Sequence, residues 1–156
     1  MAAILRIPRF LAASLVAVIS AAWPGMPLQA AETAIAQVKT VSGAAFVVRD
    51  GAHVAIKAGD PLYEKDVIET DAGTVGATFT DNTVLSLGPN SEAVLAQYVF
   101  DSSNFKGSME TDMKKGTLTM VSGDIARSSP AAMKVRTPTA ILGVRGTSFA
   151  VEVGGN

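Results

Sequence analysis

The chain has 156 residues, of which 48% are hydrophobic and 6% aromatic, with no cysteine and a formal net charge of −1. This length accommodates one domain and a targeting segment. The absence of cysteine excludes disulfide bonds and a lipoprotein anchor. Lysines and arginines form no run beyond Lys114-Lys115, so the sequence lacks the concentrated positive charge that nucleic-acid binding requires.

Residues 1–30 have the composition of a secretory signal peptide. Two arginines precede an apolar run at 10–19, and a Pro-Gly pair follows it. The run is shorter than the roughly 20 residues that span a bilayer, so we expect a cleaved helical signal rather than a membrane anchor. Cleavage after Ala30 leaves 11 basic and 14 acidic residues, a net charge of −3. A second small-residue cleavage site ends at Ala36. The sequence therefore predicts an acidic periplasmic or secreted protein that does not stay in the membrane.

From Gln37 onward, segments with apolar residues at every second position alternate with turn residues, which predicts short β-strands. The predicted strands lie at 44–49, 53–57, 67–70, 75–80, 84–87, 93–100, 118–121, 133–137 and 147–153. No segment after the signal peptide has a convincing helical period. The pattern predicts an all-β domain, either an irregular β-solenoid or a twisted β-sandwich. We divide the chain into the signal peptide at 1–30, a linker and first strand at 31–40, the β domain at 41–153 and a tail at 154–156.

The segment 101–114 is the least strand-like part of the β domain. Phe105, Met109 and Met113 are spaced at four, which fits one face of a helix or isolated apolar residues in a β excursion, and the flanking strands favour the excursion. Methionine side chains suit adaptable contacts. We expect a partner to contact these three residues, together with Arg136 and Arg145 on either side of the last turn.

The segment Met133–Val153 contains the most informative motif. Two runs with alternating apolar and polar residues, 133–137 and 147–153, flank a stretch with one proline and two glycines, which favour bends. The motif consists of Thr137, Pro138, Gly143, Arg145, Gly146, Thr147 and Phe149. In this spacing it closely resembles the end of the FecR domain, an extracytoplasmic all-β module of Gram-negative bacteria.

The resemblance covers Val41–Val153 and implies a non-enzymatic, exported module that binds protein or signals in the cell envelope, with an envelope or membrane protein as its partner. The family's iron-signalling regulators carry a cytoplasmic anti-sigma segment and a membrane helix before this domain. Here only the predicted signal peptide precedes it, so we do not expect their transmembrane role to transfer directly. Family members often continue with a further strand pair, whereas this sequence ends at 154–156. We therefore expect the last strand to have an open outer edge.

The candidate chemical groups of the sequence do not favour catalysis. His53 is the single histidine and lies on the polar side of its predicted strand, which favours a solvated role. Acids in turns usually cap backbone N–H groups rather than bind calcium, and the densest acids here are Asp60, Glu64, Asp66, Glu69 and Asp71. A strand follows Gly143–Thr147, where a phosphate loop needs a helix. We expect no catalytic residue, no cofactor and no metal site.

Two other functions remain open at this point. A carbohydrate- or cell-wall-binding β module is the alternative, although Tyr63, Tyr98 and the phenylalanines are the only rings after residue 30 on which sugars can stack. A hydrolase with an unrecognised site is the third. The sequence leaves the identity of the partner and the oligomeric state undetermined.

Overall fold

A computed structural model of the chain describes residues 32–129, 131–146 and 148–154. The predicted signal peptide and the cleavage site after Ala30 lie outside these residues, as does Thr147 of the closing motif. The described part holds no helix that is long and apolar enough to cross a membrane.

The described residues form twelve strands and one short helix. In chain order the strands are β1 Ala36–Ser42, β2 Ala45–Arg49, β3 Ala52–Ala55, β4 Pro61–Leu62, β5 Val67–Thr70, β6 Thr74–Phe79, β7 Val84–Leu87, β8 Glu92–Asp101, β9 Lys106–Val121, β10 Met133–Arg136, β11 Ile141–Val144 and β12 Ser148–Val153. The helix α1, Asp124–Ser128, lies between β9 and β10. The prediction of an all-β fold is confirmed.

The strands belong to one sheet that curls into an open half-barrel. One half of the sheet, layer 1, has the order β4-β1-β6-β7-β9-β12, and the other, layer 2, has the order β3-β2-β5-β8-β9-β10-β11. The long strand β9 is common to both, because residues 106–115 pair with β8 and residues 116–121 with β12. β10 runs parallel to β9, and the other described pairs are antiparallel. The two layers enclose one apolar core.

Gly116 is where β9 passes from one layer to the other. Its φ of +85° lies in the left-handed region that glycine adopts without strain. A Cβ at this position would lie 2.2 Å from Ser91 Oγ and 2.5 Å from Ser91 Cα. The backbones of the β7–β8 connection and β9 therefore meet here, and the N–H of Thr117 donates to Ser91 Oγ at 3.0 Å.

The core is filled by the inward side chains of alternating residues. In β6, Val75, Ala77 and Phe79 are buried while the residues between them are not. Four methionines from β9 and β10 contribute a large part of the core, and each is at most 2% exposed: Met109, Met113, Met120 and Met133. Unbranched methionine side chains fill irregular gaps, which suits a sheet that bends sharply.

A buried carboxylate links the β6–β7 turn to β8 and α1. Asp81 is 0% exposed and accepts hydrogen bonds from Thr83 Oγ1 at 2.8 Å and from the Tyr98 hydroxyl at 3.2 Å. The N–H of Ile125, in α1, donates to the same carboxylate at 3.3 Å. Asn82 completes the turn with a φ of 65°, as its tolerance of positive φ predicts. Since a buried charge is costly unless it is hydrogen-bonded, this network fixes the position of the turn.

Four elements differ from the sequence-based expectation. Residues 106–114 belong to β9, so the expectation that 101–114 is the least strand-like part of the domain is wrong: only 102–105, the tip of the β8–β9 hairpin, lie outside the strands. The helix α1 and the strands β4 and β11 were not predicted. They have five, two and four residues, and short elements give little periodicity to detect.

Candidate functional site

The strands β11 and β12 form one rim of the half-barrel. β7 and β8 follow one edge of β9 without interruption, since the N–H of Gly88 continues the pairing by donating to Thr117 O at 2.8 Å. β10 and β12 therefore share the opposite edge of β9. β11 pairs with β10 alone, and β12 with β9 alone, among the described strands. Within the described residues, each of these two strands has one backbone edge with no strand beside it.

An apolar groove of about 290 Å³ lies between these two edge strands. Its walls include Leu142 and Val144 from β11 and Phe149 and Val151 from β12. Leu142 pairs in register with the fully buried Val135, so it faces inward, yet it is 38% exposed. The groove therefore exposes side chains that point toward the core.

The outer face of β11 is apolar and flanked by cations. Ile141 is 64% exposed. Lys134 of β10 lies opposite Gly143, where a Cβ would meet no atom within 4 Å, so its side chain is not covered from the β11 side. Within the described residues the side chains of Lys134 and Arg145 have no hydrogen bond or ion pair. The rim thus combines free backbone groups, exposed apolar side chains and unpaired positive charge.

The two arginines predicted to flank the last turn have different environments. Arg136 contacts Glu110 Oε1 at 2.5 Å and Asp112 Oδ1 at 3.7 Å across the parallel β9–β10 pair. Its charge is therefore partly neutralised within the domain. Arg145 is exposed and lines the groove, and its side chain has no ion pair within the described residues.

Other residues of the closing motif shape the rim. Thr137 Oγ1 accepts hydrogen bonds from the N–H of Ala140 at 3.0 Å and of Thr139 at 3.4 Å, and so closes the β10–β11 turn around Pro138. Gly146 has a φ of +32° at the step from β11 to β12, where a side chain is disfavoured. Phe149 is half-buried and packs on the core.

The predicted contact surface on the β8–β9 segment requires a correction. Met109 and Met113 are 2% and 0% exposed, because they lie at alternate inward positions of β9 rather than on a protruding face. They are core residues and cannot meet a partner. Phe105 is 53% exposed at the hairpin tip and remains on the surface.

The histidine and the acids have local partners. His53 stacks on Phe46, with ring centroids 4.4 Å apart, and contacts Glu69 at 3.0 Å. Asp66 forms two hydrogen bonds of 2.7 Å with the guanidinium of Arg49. The other acids named from the sequence mostly accept backbone N–H groups: Asp60 from Lys57, Glu64 from Tyr98, and Asp66 also from Tyr63. No group of three metal-ligating side chains is found in the described ranges.

Both tyrosines have partners within the domain. Tyr98 is 7% exposed and its hydroxyl is bonded within the Asp81 network. The guanidinium of Arg49 lies over one face of the Tyr63 ring, 4.3 Å from its centroid. The carbohydrate-binding alternative therefore loses Tyr98 as a stacking platform.

The described residues form an all-β domain with an exposed strand edge at one rim. The family model described as FecR protein matches residues 66–156. The chain belongs to the FecR family, a signalling and regulatory family of the cell envelope. Comparisons with curated proteins and with solved structures gave no match.

Proposed function

We propose that this protein is a non-enzymatic accessory module of the cell envelope that regulates or signals by binding another envelope protein. The observation that carries this proposal is the free edge of β11, with Ile141 and Leu142 exposed beside it. Membership in the FecR family supports the regulatory class. The rim supports a mode of binding, because an exposed edge strand can pair with an extended segment of another chain.

The rim also indicates what kind of segment fits. At this rim, layer 2 has two strands after β9, which are β10 and β11, and layer 1 has one, β12. β11 therefore extends past β12 at the groove. A single extended strand fits beside β11. A whole sheet placed against β12 would collide with β11. The partner therefore contributes one extended segment, with apolar side chains toward Leu142.

Charge complementarity restricts the segment further. A residue opposite Gly143 on the outer face is separated from Lys134 only by that glycine. Lys134 also lies in register with Glu110 of β9, but that carboxylate pairs with Arg136, and Lys134 has no ion pair in the described part of the chain. Arg145 presents a second cation at the end of β11. Cross-strand pairs of opposite charge stabilise a sheet, so we expect carboxylates at these places in the partner.

Site-directed photocrosslinking tests this proposal. The photoreactive residue is placed at Ile141 in the full chain, expressed in its host, and the crosslinked protein is identified by mass spectrometry. The matched control is Val84, an apolar residue of β7 that is 38% exposed but whose strand has neighbours on both sides, β6 and β9. We expect one envelope protein to crosslink from position 141 and not from position 84.

Lys134 variants then test the chemistry. Lys134→Glu should lower the crosslinking yield severalfold, because a negative charge repels the carboxylate expected in the partner. Lys134→Arg keeps the positive charge and should preserve the yield. Equal crosslinking from positions 141 and 84, or a yield that Lys134→Glu leaves unchanged, contradicts binding at this rim.

A further inference from the structure

A cavity of about 480 Å³ lies where β10 and β12 leave a gap along the edge of β9. β10 pairs with residues 109–112 of β9, and β12 pairs with residues 116–121. Among the described strands, none lies beside residues 113–115 on this edge. The volume falls within the range of about 300–1,000 Å³ that is typical of small-molecule sites. The lining consists of Glu92, Lys114, Lys115, residues 137–139 and residues 152–154.

A bulge in β9 turns two consecutive lysines toward this cavity. Lys115 lies opposite Glu92, but Met113 lies opposite the next residue of β8, so Lys114 is an extra residue in β9. Met113 is the last buried residue before the bulge, and Leu118 is the first after it. This odd spacing interrupts the alternation of an unbroken strand, as a bulge that redirects side chains does. The side chains of Lys114 and Lys115 are therefore both about half exposed, at 50% and 52%.

Two glutamates from the neighbouring strands line the same cavity. Glu92 of β8 lies opposite Lys115, and Glu152 of β12 lies opposite Thr117. Lys115 and Glu152 are thus diagonal neighbours, a relation that separates two residues of an antiparallel pair by about 7–8 Å. The side chain of Glu152 has no hydrogen bond or ion pair within the described residues. The cavity therefore contains an unpaired carboxylate beside the lysines.

The charged groups of the cavity do not satisfy one another. Lys115 Nζ lies 3.8 Å from Glu92 Oε2, and Lys114 Nζ lies 3.6 Å from Asp112 Oδ2. Both distances are longer than a hydrogen bond. Asp112 is also 3.7 Å from Arg136, so it neutralises Lys114 only in part. The two ammonium groups and the two glutamates retain hydrogen-bonding capacity for a ligand.

This mixture of charges restricts the class of ligand. Two glutamates oppose a phosphate or a simple carboxylate, and two lysines oppose a metal ion, so half of the charged lining repels any ligand of a single sign. The lining has no aromatic ring on which a sugar stacks. A molecule that carries both a carboxylate and an ammonium group gives each charged side chain an opposite partner.

We propose that this cavity binds a small zwitterion, an amino acid or a dipeptide. Its carboxylate lies between Lys114 and Lys115, and its ammonium group lies against Glu152 and Glu92. Pro138 of the β10–β11 turn supplies an apolar contact. The cavity shares no lining residue with the groove between β11 and β12, so this proposal and that of the envelope partner can fail independently.

Isothermal titration calorimetry of the protein expressed from the full sequence tests the ligand class. The zwitterionic probes are L-alanine, D-alanine and dialanine, and acetate and ethylammonium each carry one of the two charges. We expect saturable binding of at least one zwitterion, and at least about tenfold weaker binding of both single-charge probes. The comparison of alanine with dialanine distinguishes a free amino acid from a peptide. Glucose or inorganic phosphate that binds as tightly as the best zwitterion overturns the proposal.

Variants test the assignment of the charges. Lys114→Gln and Glu152→Gln should each weaken zwitterion binding about tenfold, because each removes a charge opposite to one on the ligand. Lys57→Gln is the matched control, since Lys57 is exposed and lies outside the cavity, and it should bind as the wild type does. On titration, the amide NMR signals of Thr137 and Thr139 should shift.

Three results overturn the proposal. They are the absence of saturable binding for every zwitterion, equal binding of acetate or ethylammonium, and unchanged binding by both cavity variants. Circular dichroism checks that each variant is folded.

Discussion

The hydroxyl of Tyr98 donates a hydrogen bond to the carboxylate of Asp81 across 3.2 Å of the core, and both side chains are almost completely buried. The same hydroxyl accepts the N–H of Asp81 at 2.9 Å and lies 2.8 Å from Thr80 Oγ1. Tyr98 therefore holds the β6–β7 turn through one atom. Ring packing contributes as well, since Phe79 and Tyr98 have centroids 5.3 Å apart.

Removal of that hydroxyl should destabilise the domain. Tyr98→Phe keeps the ring but leaves the buried Asp81 carboxylate without one of its donors, and we expect the free energy of unfolding to fall by about 1–3 kcal/mol. Denaturant unfolding measures the change. Tyr63→Phe is the control, because its hydroxyl makes no hydrogen bond within the described chain, and it should change stability by less than about 0.5 kcal/mol. Equal effects of the two substitutions would argue against the role of the Tyr98 hydroxyl.

The same tyrosine should make stability fall at alkaline pH. Burial, together with the nearby Asp81 carboxylate, raises the pKa of Tyr98 above its usual value, although hydrogen bonds from Thr80 and the Asp81 N–H act in the other direction. The unfolded chain loses this proton near pH ~10, whereas the folded chain keeps it. Folding therefore retains a proton that unfolding releases, and the free energy of unfolding decreases as pH rises through this range.

Comparison of wild type with Tyr98→Phe isolates this effect. Unfolding is measured in denaturant from about pH 8 to about pH 11, which brackets the tyrosine pKa of the unfolded chain. The stability advantage of the wild type should shrink as pH rises, because the phenylalanine variant has no proton to release at this position. A constant difference across the range would contradict a raised pKa for Tyr98.

Substitution of Gly116 should destabilise the domain, whereas substitution of Gly143 should leave its stability nearly unchanged. Gly116→Ala forces a Cβ to within 2.5 Å of Ser91 Cα at a φ of +85°, and we expect a loss of more than about 2 kcal/mol. Gly143→Ala places its Cβ in open space at a φ outside the left-handed region, so stability should change by less than about 0.5 kcal/mol. Thermal unfolding of both variants provides the test, and similar melting temperatures would show that the bend of β9 tolerates a side chain.

The sequence was sufficient to predict strands where apolar and polar residues alternate regularly and one face of the strand is buried. Strands such as β5 and β7 were predicted with their observed bounds. The first half of β9 was missed because a spacing of four is compatible with both a strand and a helix. Thr111, a buried polar residue between Met109 and Met113, concealed the alternation that distinguishes the two.

Much of the candidate site depends on which strands are neighbours, and local patterns do not contain that information. The ion pair of Arg136 with Glu110 depends on the parallel register of β9 and β10, which pairs residues 24 positions apart and places Arg136 opposite Asp112. The position of Lys134 opposite Gly143 likewise requires β11, whose residues show no alternation because Ile141 and Leu142 are exposed on opposite faces. The sequence shows that Val54 is apolar, but it does not show that this residue is exposed.

The methionine-rich core also gives the folded state a chemical signature. The four methionines of the described part of the chain are at most 2% exposed, so a peroxide reaches their sulfur atoms only when the two layers separate. Oxidation then converts an apolar gap-filler into a polar sulfoxide that no longer fits the core. The rate at which these residues gain oxygen therefore reports how often the half-barrel opens, and an oxidised molecule cannot readily close again.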